Sequence, residues 1–228
     1  MNRYITVIIS FSLSLIFISC DSYRTDKKEN NNYVSTGIDK SNANLLTDFI
    51  PLFEDGDINA VVEIPSGTLE KWELNKSNGK IEWELVNNIP RIINYLGYPG
   101  NYGMIPRTLL SKEQGGDGDP LDIIVLGPPE ERGSVVKCEI IGVLYLMDRG
   151  EQDDKLVAVS TNSPLYEVNS IDELNENYIG ISEILQLWFT NYKGPGKMES
   201  KGFGDKNNAI DILKAAINEY QLCDTKHN

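Results

Sequence analysis

The sequence is poor in histidine, in cysteine and in positive charge. Its 228 residues include one histidine and three cysteines, and 21 Lys and Arg residues face 34 Asp and Glu residues. The histidine, His227, stands next to the C-terminus, where chain ends usually fray. Ser-His-Asp and Cys-His catalysis are therefore excluded, as are zinc sites that need two histidines. An enzyme of this composition works with carboxylates, lysines, tyrosines and hard cations.

The net charge of −13 at pH 7 disfavours a nucleic acid as the main partner. Contacts to a phosphate backbone need a basic face, which this composition does not favour. Hydrophobic residues make up 40% of the chain, enough for one domain to bury a core. Cys138 lies in an apolar, strand-like run and Cys223 near the C-terminus. This distribution predicts a buried thiol and a tail thiol rather than a disulfide framework.

The apolar run at the N-terminus, Tyr4 to Ile18, is shorter than the roughly 20 residues that a membrane-spanning helix needs. It follows Arg3 and ends in Ser19-Cys20, an order typical of a secretory signal. The ending resembles a bacterial lipobox, in which Cys20 is lipidated and becomes the new N-terminus. We expect a lipoprotein-type signal over residues 1–20 and an extracytoplasmic, lipid-anchored protein. An ordinary signal or uncleaved anchor with an incidental Cys20 is the alternative.

Residues 21–48 are polar and rich in asparagine, with three in a row at Asn30–Asn32. Such a composition does not offset its own ordering entropy and predicts a flexible tether. The globular domain is then expected over residues 49–228.

The domain begins with strand patterns and ends with helical ones. Period-two alternation bounded by turn residues predicts three strands, namely Val61–Ile64, Trp72–Leu74 and Ile81–Leu85. Apolar runs that are rich in β-branched residues and bounded by Gly or Pro predict three more, namely Asp122–Leu126, Val135–Met147 and Lys155–Val159. After Ser170 the period becomes helical, and one helix face is predicted to hold Ile184, Leu185, Trp188 and Phe189. A last helix is predicted near 208–222, with a stripe of Ile210, Leu213, Ile217 and Tyr220. This order predicts the α+β class, a small antiparallel barrel with helices packed outside.

The most informative stretch is an acidic turn at Gly116–Asp122, which contains Asp117, Asp119 and Asp122. Three carboxylates so close together repel one another unless a cation lies among them. The turn leads into an apolar strand, so the acids stand at a strand mouth. An EF-hand is excluded because Leu121 occupies a ligand position and Pro120 breaks the loop. A metal site and a solvated acidic turn both fit this stretch alone.

Other carboxylates, lysines and phenols recur beside strands. Asp148 follows one predicted strand, and Asp153 and Lys155 share a face of the next if that strand begins at Asp153. Lys71 and Glu73 repeat that arrangement, and Tyr102 and the pair Tyr192-Lys193 add phenols and an amine. Each pattern alone is typical of a solvated face or of packing. Together they indicate a phosphate-bearing substrate held by magnesium.

In order and spacing these motifs resemble the family I soluble inorganic pyrophosphatases, with a spacing closest to the eukaryotic-type members. The likeness extends from about Val61 to Leu222. The motifs that carry it are Glu63-Ile64-Pro65, Lys71-x-Glu73, Asn101-Tyr102-Gly103, Asp117-Gly-Asp119-Pro-Leu-Asp122, Asp148 with Asp153-x-Lys155, and Tyr192-Lys193. The Asp-x-Asp-Pro-x-Asp block is the most specific of them.

The resemblance implies a five-stranded OB-like barrel with flanking helices and a site at its mouth that hydrolyses pyrophosphate with Mg²⁺. By motif match, the magnesium ligands would be Asp117, Asp122, Asp148 and Asp153, with Glu63 and Glu73 holding metal-bound water. Asp119 would accept the proton of the attacking water. The phosphoryl oxygens would be held by Lys71, Arg91, Tyr102, Lys155, Tyr192 and Lys193. The resemblance also favours a homo-oligomer, a dimer above others.

Two departures from the family pattern stand out. The segment from Gly79 to Tyr98 is longer than usual, which can displace Arg91. Arg149 stands where the family generally has an acid, beside Asp148. Two other functions therefore stay open. One is a catalytically weak or silent envelope lipoprotein that binds a metal-phosphate ligand. The other is an oligonucleotide-binding barrel, which the acidic composition disfavours.

Overall fold

The computed structural model describes residues 42–112 and 116–227, all within one compact unit. The predicted signal and most of the predicted tether lie outside the described residues. Residues 42–48 were assigned to that tether, but Ala43 and Leu45 are buried and the Leu45 amide donates to the Gly79 carbonyl over 2.9 Å. The folded part therefore begins earlier than residue 49. No helix in the described ranges is both long enough and apolar enough to cross a membrane.

Eleven strands and three helices are described. In chain order they are β1 (Ile58–Ile64), β2 (Trp72–Asn75), β3 (Lys80–Trp83), β4 (Leu85–Val86), β5 (Ile89–Pro90), β6 (Asn101–Met104), β7 (Asp122–Leu126), β8 (Val135–Asp148), β9 (Glu151–Gln152), β10 (Lys155–Ser160), α1 (Ile171–Asn177), α2 (Ile181–Asn191), β11 (Met198–Gly204) and α3 (Lys206–His227).

Five of the strands close into a barrel. β1 pairs with β6, β6 with β7, β7 with β10, β10 with β8, and β8 returns to β1. The predicted α+β class and five-stranded barrel are therefore confirmed. The prediction of antiparallel pairing is wrong for β7 and β10, which run parallel. β10 lies between β7 and β8. It is parallel to β7 and antiparallel to β8.

The barrel strands bury side chains on both faces. Alternate residues of β7 and β10 contribute to two cores, because successive side chains of a strand point to opposite sides. Ile124 and Val157 belong to the core that also holds Trp188 and Phe189 of α2, whereas Ile123 and Leu156 belong to the core covered by Leu213 of α3. The barrel therefore lies between helices, and its strand ends remain available for a site.

The helices partly match the predicted patterns. Ser170 caps α1 by accepting a hydrogen bond from the Glu173 amide over 3.1 Å. In α2, Leu185, Trp188 and Phe189 are buried as predicted, but Ile184 is 57% exposed, so its assignment to that face is wrong.

The last helix and the strand before it differ from the prediction in extent. α3 is longer than predicted, and Ala209, Leu213 and Ala216 form its buried stripe. The polar strand β11 has no hydrophobic alternation, so it was missed; it pairs with the far half of the long strand β8.

The unusually long segment after Gly79 forms a second hairpin. The first hairpin consists of β2 and β3 and ends at Trp83. The second consists of β4 and β5, which are joined by Asn87 and Asn88. Both asparagines have positive φ angles, 55° and 64°, as a type I′ turn requires. The chain returns beside the first hairpin, where the Lys71 amide donates to the Arg91 carbonyl over 3.0 Å.

Candidate active site

The candidate residues lie at the ends of barrel strands and in the adjoining turns. Glu63 is near the end of β1, Asp122 begins β7, Asp148 ends β8 and Lys155 begins β10. Lys193 directly follows Tyr192, the C-cap of α2. Rigid elements thus hold most of the charged groups that the sequence predicted for the site.

Lys155 is the electrostatic centre of this region. Its side chain is 2% exposed, and its Nζ lies 2.6 Å from Asp122 Oδ2 and 2.5 Å from Asp153 Oδ1. Burial alone lowers the pKa of Lys155, but the two carboxylates outweigh it and hold that pKa above its usual value. The lysine is therefore a fixed cation shared by two aspartates.

Lys193 forms the second bridge and leaves one carboxylate oxygen without a donor. Its Nζ lies 2.7 Å from Asp148 Oδ2 and 3.9 Å from Asp153 Oδ2. Among the described residues, no group donates a hydrogen bond to the buried Asp148 Oδ1, and Arg149 Nε lies 4.0 Å from it. A buried carboxylate oxygen without a donor is costly, so this atom is suited to a metal cation.

Glu63 is buried next to these bridges. The Leu74 amide donates to Glu63 Oε1 over 2.7 Å. Burial raises the pKa of Glu63 to about 7, although the nearby ammonium of Lys71 opposes the rise. Lys71 Nζ is 5.4 Å from the centroid of the Tyr102 ring. β1, β6 and the first hairpin therefore bring Glu63, Lys71 and Tyr102 to one place.

The acidic turn lies at the exposed side of the site. Asp117 Oδ1 accepts a hydrogen bond from the Asp119 amide over 2.8 Å, and Asp117 is within electrostatic range of Asp122 and Lys155. Asp119 forms an ion pair with Lys76 and is within electrostatic range of Glu73. Lys76 was not predicted from the sequence, because no local pattern relates it to a residue 43 positions away.

The predicted phenols belong to an aromatic cluster. Tyr192 stacks on Trp188 with ring centroids 4.5 Å apart, and Tyr98 lies 5.3 Å from Tyr102. Burial raises the pKa of both Tyr98 and Tyr102 well above the usual value. At neutral pH these phenols keep their protons and are hydrogen-bond donors.

Arg91 lies at the edge of this cluster despite the longer hairpin segment. Its Nη1 contacts both carboxylate oxygens of Glu84 at 2.8 Å. The guanidinium also interacts electrostatically with Tyr192 and Tyr98. The insertion therefore keeps Arg91 beside the predicted phosphate-binding groups, with an acidic partner that the sequence analysis missed.

The carboxylates are arranged around lysines rather than around one another. Within residues 42–112 and 116–227, no three acidic, histidine or cysteine side chains converge as metal ligands. Lys155 stands between Asp122 and Asp153, and Lys193 contacts Asp148. The donor set still fits magnesium, since it consists of carboxylate oxygens and includes the buried, donor-free Oδ1 of Asp148.

Known proteins share this sequence and fold. The model of the inorganic pyrophosphatase family matches residues 60–221. The inorganic pyrophosphatase of Xylella fastidiosa is 34% identical over 170 residues, which cover 72% of this chain and 90% of that protein. The human inorganic pyrophosphatase is 31% identical over 202 residues, covering 78% of this chain and 69% of that protein.

Solved structures give the same result. The crystal structure of type I inorganic pyrophosphatase from Toxoplasma gondii superimposes with a TM-score of 0.71 at 28% identity, covering 78% of this chain and 88% of that chain. Relatives from bacteria and from primates both match, so the eukaryotic-type spacing stays a prediction. The match to the family model covers more than half of the sequence and includes every predicted site residue. The chain therefore belongs to the inorganic pyrophosphatase family.

Proposed function

We propose that this protein hydrolyses inorganic pyrophosphate to two phosphates and uses magnesium as its cofactor. Family membership supports the reaction, and the cluster around Lys155 supports the location of the site. The observation that carries the proposal is the buried Lys155, shared by Asp122 and Asp153 beside a donor-free oxygen of Asp148. A silent binding protein is not favoured, since the named relatives are pyrophosphatases.

The aspartates around the lysines would hold the magnesium ions. The proposed ligands are Asp117, Asp122, Asp148 and Asp153, with Glu63 and Glu73 acting through water. Magnesium, when bound, neutralises phosphoryl charge and makes a water molecule more acidic. Lys155 and Lys193 form ion pairs with these carboxylates and so offset their mutual repulsion while no metal is bound.

Asp119 is proposed to accept the proton of the attacking water. The water oxygen forms a bond to one phosphorus while the bond from that phosphorus to the bridging oxygen breaks. A carboxylate is a sufficient base when the water is already acidified, and no histidine is needed. This assignment suits a chain whose one histidine is next to its C-terminus.

Lysines, phenols and an arginine are proposed to hold the phosphoryl oxygens. Charge-assisted hydrogen bonds from Lys71 and Lys193 neutralise the anionic substrate. The buried phenol of Tyr102 donates without adding charge. Arg91 and Tyr192 complete the set at the edge of the aromatic cluster.

The direct test is phosphate release from pyrophosphate by the purified protein that lacks residues 1–20. We expect turnover with magnesium and none with chelator. Asp119→Asn is expected to reduce kcat by about 100-fold or more, while the circular dichroism spectrum stays unchanged. Absence of phosphate release from the parent protein at every magnesium concentration would contradict the proposed function.

We also propose that the protein is exported and held in the cell envelope through a lipidated Cys20, with residues 21–41 as a tether. The order of features in residues 1–20, a positive residue, an apolar run and then Ser19-Cys20, supports this proposal. Cys20→Ala should abolish labelling by a fatty-acid analogue, and persistent labelling would refute it. A homodimer is the proposed assembly, and sedimentation of the purified protein distinguishes it from a monomer or a hexamer.

A further inference from the structure

Lys76 connects two parts of the site that are distant in sequence. It lies in the turn between β2 and β3, on the hairpin that also carries Lys71 and Glu73. Its Nζ donates to the Gly118 carbonyl over 2.8 Å and forms an ion pair with Asp119 Oδ1. One ammonium group therefore contacts both the backbone and the carboxylate of the acidic turn.

The backbone of this turn is held by its own hydrogen bonds. The Gly118 amide donates to the Leu110 carbonyl over 2.8 Å, and the Leu110 amide donates to the Asp119 carbonyl over 2.8 Å. The Asp119 amide donates to Asp117 Oδ1 over the same distance. These three hydrogen bonds hold the backbone around Asp119 in addition to the contact between Lys76 and the Gly118 carbonyl, so the backbone does not depend on Lys76 alone.

The carboxylate of Asp119 has fewer hydrogen-bond partners than the backbone around it. Among the described residues, Lys76 is the one donor to its Oδ1, and its Oδ2 accepts no hydrogen bond. The rotamer of this side chain therefore depends on Lys76, and one oxygen is left for a water molecule. A base must lie within hydrogen-bond reach of the proton it takes, so the rotamer decides whether it acts.

We propose that Lys76 is a positioning residue for Asp119. The inference rests on the proposed function, in which Asp119 accepts the proton of the attacking water. The ammonium holds Oδ1 and directs Oδ2 towards that water. The pair is about half exposed, with side chains 49% and 55% accessible, and exposed ion pairs contribute little to folding. Its effect is therefore expected in catalysis rather than in stability.

The decisive comparison is between Lys76→Met and Lys76→Arg at saturating magnesium. Lys76→Met keeps a similar chain length and removes the charge, so kcat should fall about 10-fold while the KM for pyrophosphate changes less than about 2-fold. Lys76→Arg keeps the positive charge, so its kcat should stay close to that of the unmodified protein, and the open pocket beside Lys76, Gly118 and Tyr220 leaves room for the larger guanidinium. Lys214→Met, at an exposed position of α3, is the matched control and should leave kcat unchanged.

A double variant tests whether Lys76 acts through Asp119. In the Asp119→Asn background, Lys76→Met should cause no further loss, because the group that it positions is already removed. An additive loss would overturn the proposal. A rise in kcat or tighter activation by magnesium in Lys76→Met would also overturn it, since Lys76 would then compete with the cation.

A crystal structure of Lys76→Met separates this inference from the proposed function. We expect an unchanged backbone at residues 117–121 and the Asp119 carboxylate in more than one rotamer. A single rotamer, identical to that of the unmodified protein, would overturn the positioning role whether or not the protein hydrolyses pyrophosphate. Absence of turnover in the unmodified protein would instead contradict the proposed function and leave the rotamer result to decide the role of Lys76.

Discussion

Two lysine–carboxylate contacts in the candidate site use the same chemistry in opposite surroundings. Lys155 is buried at the start of β10 and bridges Asp122 and Asp153, whereas Lys76 lies in a turn and pairs with Asp119 at the surface. Removing water strengthens an ion pair but penalises any charge that loses its partner. The buried bridge at Lys155 is therefore expected to contribute to the free energy of unfolding. The exposed pair is expected to set the orientation of the Asp119 side chain.

Lys155→Met should destabilise the protein severely. It leaves the partly buried Asp122 and Asp153 facing each other without a cation, and loss of one partner of a buried pair costs about 3–5 kcal/mol. Urea unfolding with chelator present measures the difference. Lys76→Met is the matched variant and should cost at most about 1 kcal/mol. Equal losses of unfolding free energy in the two variants would contradict the expected difference between the buried and the exposed lysine.

Glu63 should make the metal-free protein less stable as the pH rises. Its pKa is raised from 4.5 to about 7 in the folded state, so the folded protein binds more protons than the unfolded chain between these values. Stability attributable to Glu63 is fully present below about pH 4.5 and is lost as the pH rises through about 7. The loss corresponds to about 3 kcal/mol.

Glu63→Gln removes this titration and keeps a side-chain oxygen for the Leu74 amide. In chelator, urea unfolding of the variant should depend less on pH between 4.5 and 7 than that of the unmodified protein. Glu199→Gln, at an exposed position of β11, is the control and should leave that part of the profile unchanged. Parallel profiles for the Glu63 variant and the unmodified protein would contradict the prediction.

Arg149→Glu should have the smallest effect. The Arg149 side chain is 72% exposed and its Nε lies 4.0 Å from Asp148 Oδ1, so solvent screens its repulsion of a cation. Charge reversal is expected to lower the magnesium concentration for half-maximal activity by about 3-fold at low salt. Lys201→Glu on β11 makes the same change in net charge and should have less effect. An unchanged magnesium dependence would show that Arg149 is peripheral.

Local patterns were sufficient to predict most of the barrel and the acids at its strand ends. Alternation identified β1, and apolar, β-branched runs bounded by Gly or Pro identified β7, β8 and β10, most of whose residues are buried. Lys155 was predicted next to Asp153 because residues two apart share a strand face. These features depend on neighbours in the sequence.

Features that depend on distant contacts were not predicted. Lys76 meets Asp119 across 43 positions, and β11 is a strand because the long strand β8 offers it an edge. Ile184 fits the helical period of α2, yet its side chain is 57% exposed although Leu185 and Trp188 of the same helix are buried. Leu45 lies in a polar segment, but it packs in a small cluster with Val61 and Met104. In each case the tertiary partner, not the local pattern, decides the outcome.

The parallel pairing of β7 with β10 has a kinetic consequence. β10 is the last barrel strand along the chain and enters between two strands that precede it, so the barrel has no closed intermediate before β10 arrives. Pairings between such distant segments slow folding, because loop-closure entropy is lost before the contacts form. Lys155 is the first residue of that strand and enters with it. The step that closes the barrel is therefore also the step that delivers the buried cation to Asp122 and Asp153.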